Sequence, residues 1–303
     1  MSNKVSVGSA AFALGIFSSK AIPLDQLTNR LQELNFQGIE LLGCRPYGDP
    51  DDISTAADRK NLKKMFLDHG LEISNYGADF KERSPASSNP DERSDYRKLF
   101  TKNLHFCKDC EIPSIRVDTV NEPPLINGVS YEDAWNRMRD TWHECAEEAQ
   151  KAGVLVVWEF EPGFMFNKPH EVAKMIGDVS HSNFTVLFDS CHAHMCSVVT
   201  ARQEEPLDKL EGGSSEFAGL LSGNIGYVHL IDSDNTLHDN WTSTHAPFGT
   251  GKIDFDELTD AIVASGYNDD WWTIDLCFWP EAWEVLQDSK IFIDNLLTTH
   301  MLL

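Results

Sequence analysis

The chain has 303 residues, enough to bury a full-size core, and its 48 acidic residues outnumber 25 basic ones for a net charge of −23. That balance argues against partners that reward a positive surface, nucleic acid and anionic membrane alike, and reads most simply as a solvated acidic exterior. No apolar run approaches the roughly 20 residues of a membrane span, and seven scattered cysteines read as core thiols in a reducing, cytoplasmic compartment, not as a disulfide framework.

A first strand is predicted near Ala11 to Ile16; the weakly apolar stretch after Lys4 is too short and too interrupted by Gly8 and Gly15 for a signal peptide. Leu24, Leu27, Leu31 and Leu34 then recur at helical spacing, and Ile39 to Gly43 is a second strand. A helix over 62–69 stops at Gly70 and leads into a third strand, Leu71 to Tyr76. Glu82 to Arg93 reads as a polar loop, Asp95 to Cys110 as a helix, and Ile115 to Val120 as strand four, carrying Arg116 and Asp118. The long helix Tyr131 to Lys151 precedes strand five, Val154 to Glu161; a helix over 169–179 precedes strand six, Thr185 to Asp189. An insertion from His192 to Asn224, partly helical, is followed by strand seven (Ile225 to Ile231), a long polar loop from Asp232 to Gly251, a helix over 255–264, strand eight (Trp271 to Leu276) and a final helix over 281–297.

Strands alternating with helices indicate a parallel sheet. Eight such units with no break in composition predict a single (β/α)₈ TIM barrel over residues 1–303, close to the roughly 250 residues usual for that fold. The competing arrangement, an open doubly wound sheet, would carry a Gly-rich phosphate loop after its first strand, and none is present.

In such a barrel the active site lies at the C-terminal ends of the strands. There the sequence places Glu161, Asp189, His229 and Asp275, one at the end of each of strands five to eight. Each alone has a bland explanation, a polar group satisfied by local hydrogen bonds. Together, three carboxylates and an imidazole form an oxygen-rich set suited to one divalent ion: Mn²⁺ first, with Mg²⁺, Co²⁺ and Zn²⁺ also compatible. Glu159 has the same side-chain parity as Glu161 and would lie one layer deeper, so it is the alternative ligand; Pro162, which sets the strand end, favours Glu161. His192, three residues after Asp189, is a substrate contact rather than a ligand, and Arg116 and Arg202 are candidate donors to substrate hydroxyls.

The segments Glu161-Pro162, Asp189-Ser190-Cys191-His192, His229-Leu230-Ile231-Asp232, His245-Ala246-Pro247-Phe248-Gly249-Thr250-Gly251-Lys252-Ile253-Asp254 and Gly266-Tyr267 resemble those of the xylose-isomerase-like barrels of the sugar phosphate isomerase/epimerase group, over essentially the whole chain. In the ketose 3-epimerases of that group the strand-five and strand-eight positions are both glutamates that bind the metal and move the proton. The resemblance implies those roles for Glu161 and Asp275, with Asp189 and His229 as structural ligands, a small carbohydrate as substrate, and assembly into dimers or tetramers. Asp275 departs from the pattern by one methylene, an arm that can bind metal yet fail to reach a substrate carbon.

The chemistry expected is therefore that of an isomerase or epimerase: proton abstraction next to a sugar carbonyl, with a metal-stabilised enediolate and Glu161 as base. The alternatives are a metal-dependent lyase or dehydratase acting on keto-sugars or inososes, including the type that cleaves C-glycosides, and a non-catalytic binding barrel. A phosphodiesterase like the apurinic endonucleases is disfavoured by the charge of −23.

Overall fold

In the computed structural model, which describes residues 3–119, 130–239, 241–300 and 302, eight parallel strands close a barrel. In chain order the strands are β1 (Lys4–Gly8), β2 (Gly38–Gly43), β3 (Glu72–Ala78), β4 (Ser114–Val117), β5 (Leu155–Glu159), β6 (Phe184–Asp189), β7 (Ile225–Leu230), β8 (Asp232–His238), β9 (Thr242–Ala246) and β10 (Trp271–Ile274). β10 pairs with both β1 and β7 to complete the barrel, while β8 and β9 form a separate antiparallel pair. The helices are α1 (Leu24–Glu33), α2 (Ala56–Asp68), α3 (Pro90–Cys110), α4 (Tyr131–Ala152), α5 (Pro169–Val179), α6 (Ser190–His194), α7 (Gly213–Leu220), α8 (Phe255–Ala264) and α9 (Ala282–Thr299). No helix among the described residues is long and apolar enough to cross a membrane.

The helices follow their sequence signals. α4 starts where the Ser130 side chain accepts from the Asp133 amide, buries Trp135, Met138, Trp142, Cys145 and Ala149, and stops at Gly153, whose φ of +73° any side chain would strain. α8 is capped by Asp254, which accepts from the Glu257 amide. The loop before α8 is built around Asp232: one carboxylate oxygen accepts from the amides of Gly249 and Gly251, the other from that of Ile253. A Cβ on Gly251 would come within 2.3 Å of Asp232, so only glycine fits there.

Three expectations are corrected. The first strand is Lys4–Gly8, not the stretch from Ala11 to Ile16, which forms 3₁₀ turns interrupted by Gly15 at φ +59°. Val5 and Val7 alternate with Ser6, and Ser6 turns into the barrel to meet Thr273 Oγ1 at 2.7 Å. α3 begins earlier than expected, at Pro90, because Asn89 accepts from the Asp91 amide and Pro suits the first helical turn. The stretch from Asp232 to Gly251 is not all loop: the part up to Ala246 folds back as the β8–β9 pair. The expected end of strand four, Val120, lies outside the described residues.

The barrel interior is layered, as alternate strand residues point inward. Val157, Leu187, Tyr227 and Trp271 fill one apolar level. Above it the Tyr227 hydroxyl meets Ser74 Oγ at 2.7 Å and Thr273 Oγ1 at 2.6 Å. Two residues further along β5, β6 and β7 the inward positions are Glu159, Asp189 and His229; Asp275 lies four beyond Trp271, just past the end of β10, and Glu40 two beyond Gly38. The registers place Asp189 beside His229 and Thr273 beside His229, so the polar level is continuous across β6, β7 and β10.

Candidate active site

Glu159, Asp189, His229 and Asp275 each offer one ligand-type atom, and those atoms all lie within 4.8 Å of one another. His229 Nδ1 stands 3.2 Å from Glu159 Oε1, 3.5 Å from Asp275 Oδ2 and 3.9 Å from Asp189 Oδ2. Asp189 is 0% exposed, and its Oδ2, like His229 Nδ1, is buried without a hydrogen-bond partner. Leaving such atoms unmet is costly, several kcal/mol for a charged group. Three carboxylates, one imidazole and two orphaned ligand atoms fit a divalent cation.

The geometry differs from the sequence expectation at one ligand. Glu159 stands in the quartet where Glu161 was expected. Ladder pairing of β5 ends at Glu159, and Phe160 and Glu161 have already left the sheet before Pro162. Glu161 therefore sits one level out, in the wall of the cavity above the quartet. Its Oε2 accepts from Thr242 Oγ1 at 2.5 Å and lies 3.7 Å from His192 Nε2.

Arg116 ties the two glutamates together. Its Nε donates to Glu159, its Nη1 to Asp118 at 2.6 Å and its Nη2 to Glu161 at 3.0 Å. Burial pushes the Glu159 carboxyl up, but Arg116 and His229 outweigh it and hold that group well below the usual carboxylate range. Burial, reinforced by the charge on Glu159, pushes Glu161 up to about 8. Burial and Asp275 likewise raise Asp189, whereas burial is outweighed at Asp275 by His245 and His229, which lower it. Two adjacent carboxyl groups on one strand end are thus driven in opposite directions.

His192 is held by Ser243 Oγ, 2.8 Å from its Nδ1, and its amide donates to Asp189 Oδ1 at 2.7 Å. Burial, and then His245, push its imidazole down to about 3, so it is neutral. Arg202 lies apart from the quartet: it donates to the Trp241 carbonyl at 3.2 Å and is not among the residues lining the cavity.

Several residues at this site were not singled out from sequence. Glu40 accepts from Asn75 Nδ2 at 2.9 Å and lies 2.8 Å from His229 Nε2, and Ser114 in turn donates to Asn75 at 2.6 Å. Its signal was available, a carboxylate inside the apolar strand Ile39-Glu40-Leu41. Thr242 and Ser243 come from β9, in the stretch read as loop, as does His245, which opens the family-like segment His245-Ala246-Pro247 but has no role assigned from sequence. Trp241 closes the same side, packing on Gly163, where a Cβ would meet its ring nitrogen at 3.1 Å. The aromatic walls include Phe164, whose ring centroid is 6.0 Å from that of Trp241, and Phe278.

Residues 29–290 match the family described as the xylose isomerase-like TIM barrel. The chain belongs to that family. A curated relative, the L-ribulose 3-epimerase of Mesorhizobium japonicum, is 29% identical over 142 residues, which is 46% of this chain and 39% of the relative's length. Among solved structures of this barrel type, D-psicose 3-epimerase from Clostridium cellulolyticum H10 with D-tagatose superposes with a TM-score of 0.72 at 16% identity, over 96% of this chain and 97% of that one. The IOLI protein with a zinc atom bound superposes with a TM-score of 0.72 at 16% identity, over 98% and 97% of the two chains. The expected family and the (β/α)₈ barrel are both borne out.

Proposed function

We propose that the protein is a divalent-metal-dependent isomerase or epimerase of a small, unphosphorylated sugar. The observation that carries this reading is the quartet of Glu159, Asp189, His229 and Asp275, with two orphaned ligand atoms, directly beneath a cavity that also holds Glu161. These four residues would hold the ion, and Glu161 is kept for the proton. A bound divalent ion would supply Lewis-acid stabilisation of the charge that develops when a proton leaves the carbon next to a carbonyl. The zinc atom in the IOLI protein and the ketose epimerases among the similar proteins support this class of chemistry.

Each remaining residue has a task in this reading. Glu161, its carboxyl held near neutrality, takes a proton from the substrate carbon, since a base works best with a pKa close to the working pH. Arg116 fixes Glu159 and Glu161 relative to each other. His192, neutral and held by Ser243, donates to a substrate oxygen. Glu40 receives the Nε2 proton of His229 and so leaves Nδ1 facing the quartet, the arrangement by which a carboxylate orients a metal-binding histidine. The cavity, about 210 Å³, is smaller than the roughly 300–1,000 Å³ of sites for drug-sized ligands and suits a monosaccharide. Its carboxylates disfavour a phosphate group.

Dehydration by loss of a β-hydroxyl from the same deprotonated substrate is the second reading. One observation favours it: Asp275 is tied by the Cys277 amide at 2.9 Å and by His229 and His245 at 3.5 Å each, so it is poorly placed to act as the second acid.

The deciding experiment loads the protein with Mn²⁺, Co²⁺, Mg²⁺ or Zn²⁺ and incubates it with ketoses and inososes in D₂O. Deuterium at the carbon next to the carbonyl, together with a new epimer or isomer, is the expected result. Deuterium with a dehydrated product supports the second reading; no exchange with any metal and substrate overturns both. For Glu40→Gln the expectation is a metal affinity about 10–100-fold weaker, read by competition with a metal-binding dye.

A further inference from the structure

Asp118 follows β4 by one residue and shares the inward parity of Arg116. It is 5% exposed and lines the cavity. Its Oδ2 accepts from Arg116 Nη1 at 2.6 Å, while its Oδ1 is buried without a hydrogen-bond partner among the described residues. Among the described residues that line the cavity, three carry such an orphaned atom: Asp118, His229 and His245. His229 is a member of the quartet, and His245 stands 3.5 Å from Asp275 of the same quartet. Asp118 is tied to neither; the Arg116 guanidinium bridges it to Glu159, with Nη1 on Asp118 and Nε on Glu159. A divalent ion in the quartet therefore leaves Asp118 Oδ1 unmet.

The wall beside Asp118 is open. β3 pairs with β4 so that Gly77 stands in register with Arg116, and Gly77 also lines the cavity. Its φ is not in the left-handed region, so the backbone does not call for glycine there. A Cβ on Gly77 would meet nothing closer than the Leu41 carbonyl oxygen at 3.8 Å and Glu40 Oε1 at 3.9 Å. The missing side chain leaves room on the strand next to the one that carries the unmet oxygen. Burial pushes the Asp118 carboxyl up and Arg116 pulls it down, but the guanidinium meets only one of its two oxygens.

We propose that Asp118 is a specificity-determining residue whose Oδ1 accepts a hydrogen bond from one substrate hydroxyl, in the space left by Gly77. The assignment rests on the sugar reading of the site. Glu161, the base in that reading, takes Nη2 of the guanidinium whose Nη1 holds Asp118, so the hydroxyl met by Asp118 belongs to a carbon beside or beyond the reacting one. A hydrogen bond to an ionised acceptor is roughly twice as strong as one between neutral groups. An analogue without that hydroxyl shuts the oxygen away from water with no partner, the situation in which sites of this kind discriminate most sharply.

The test is deuterium exchange by the whole Mn²⁺-loaded protein with D-psicose, D-tagatose and scyllo-inosose, each beside analogues that lack a single hydroxyl. The wild type is expected to lose at least about a hundredfold in kcat/KM on one or more of these analogues. Asp118→Ala is expected to raise KM for the parent sugar and to shrink the gap at one hydroxyl position to about threefold, leaving gaps at other positions and the metal content as they were. Asp118→Asn keeps the shape, and with its oxygen on Arg116 it turns an amide nitrogen where the acceptor was; the same gap should narrow if the alanine variant fails to fold. An Asp118 that only steadies Arg116 would, when replaced, slow the parent and every analogue by the same factor, and that result overturns the assignment. A wild type that handles all the analogues as well as the parents overturns it too, whatever becomes of the variants. No exchange with any parent sugar counts against the sugar reading itself, and the role of Asp118 falls with it.

Discussion

Glu159→Gln is expected to strip the protein of its metal ion, whereas the same change two residues later, Glu161→Gln, leaves the ion bound and removes the proton transfer. The two side chains share Arg116 and share a strand end, yet they differ in level. Glu159 stands in the quartet 3.2 Å from His229 Nδ1; Glu161 stands above it, against Thr242 and His192. Loss of a carboxylate ligand should weaken metal binding more than about a hundredfold, since a change one step removed from the ion already costs about 10–100-fold. Loss of a general base should lower kcat by about 10²–10⁴-fold with metal content unchanged. Elemental analysis beside the exchange assay reads both numbers. Equal loss of metal in the two variants would return Glu161 to the ligand set. The ion-free protein supplies a second check. Glu161 titrates near 8 in the folded chain, well above its ordinary value of 4.5. The folded state therefore holds a proton that the unfolded chain releases, and this contribution to stability is full below about 4.5 and is lost as pH rises through 8. The Tm of ion-free Glu161→Gln should consequently depend less on pH between 5 and 8 than that of the wild type.

The barrel was legible because buried strands announce themselves. Runs such as Val154 to Trp158, and Phe184 to Phe188 with Thr185 its one polar residue, stay this apolar only if both faces are covered, and the polar residue that ends each run marks where a strand meets the cavity. Parity gave the inward face of β5 correctly but could not give the level. Glu159 and Glu161 both point inward, and what separates them is where ladder pairing stops, a property of the neighbouring strand. The hairpin was invisible for a related reason. Thr242, Ser243 and His245 turn toward polar partners, Glu161, His192 and Asp275, so β9 lacks the apolar alternation by which a half-buried strand is recognised. The first strand was misplaced because Ala11 to Phe17 is the more apolar stretch; Lys4 to Gly8 wins by closing the barrel against β10, with Val5 opposite Trp272 and Val7 opposite Ile274. The Glu40–His229 contact joins residues 189 positions apart, and local pattern carries no trace of it.

Arg116→Met is expected to give the largest loss of stability of any single change at the site. Arg116 is a donor to three carboxylates that are each less than a tenth exposed, Asp118, Glu159 and Glu161, and among the residues lining the cavity no Lys or other Arg can replace it. Methionine fills much the same volume, so the change isolates charge from packing. Removing one partner of a buried ion pair costs about 3–5 kcal/mol, because the remaining charge stays buried and uncompensated. With about 2–4 °C lost per kcal/mol, the Tm should fall by about 10 °C in a neutral buffer. Two further results tell this explanation from simple misfolding. Acidification should restore stability, because the stranded carboxyl groups acquire raised pKa values and neutralise as pH falls through them. The double variant Arg116→Met with Glu161→Gln should be more stable than Arg116→Met alone, since it removes one stranded charge outright. A Tm for Arg116→Met within a degree or two of the wild type would mean that the carboxylates are satisfied without the guanidinium, and the division of labour between Glu159 and Glu161 would then need another cause.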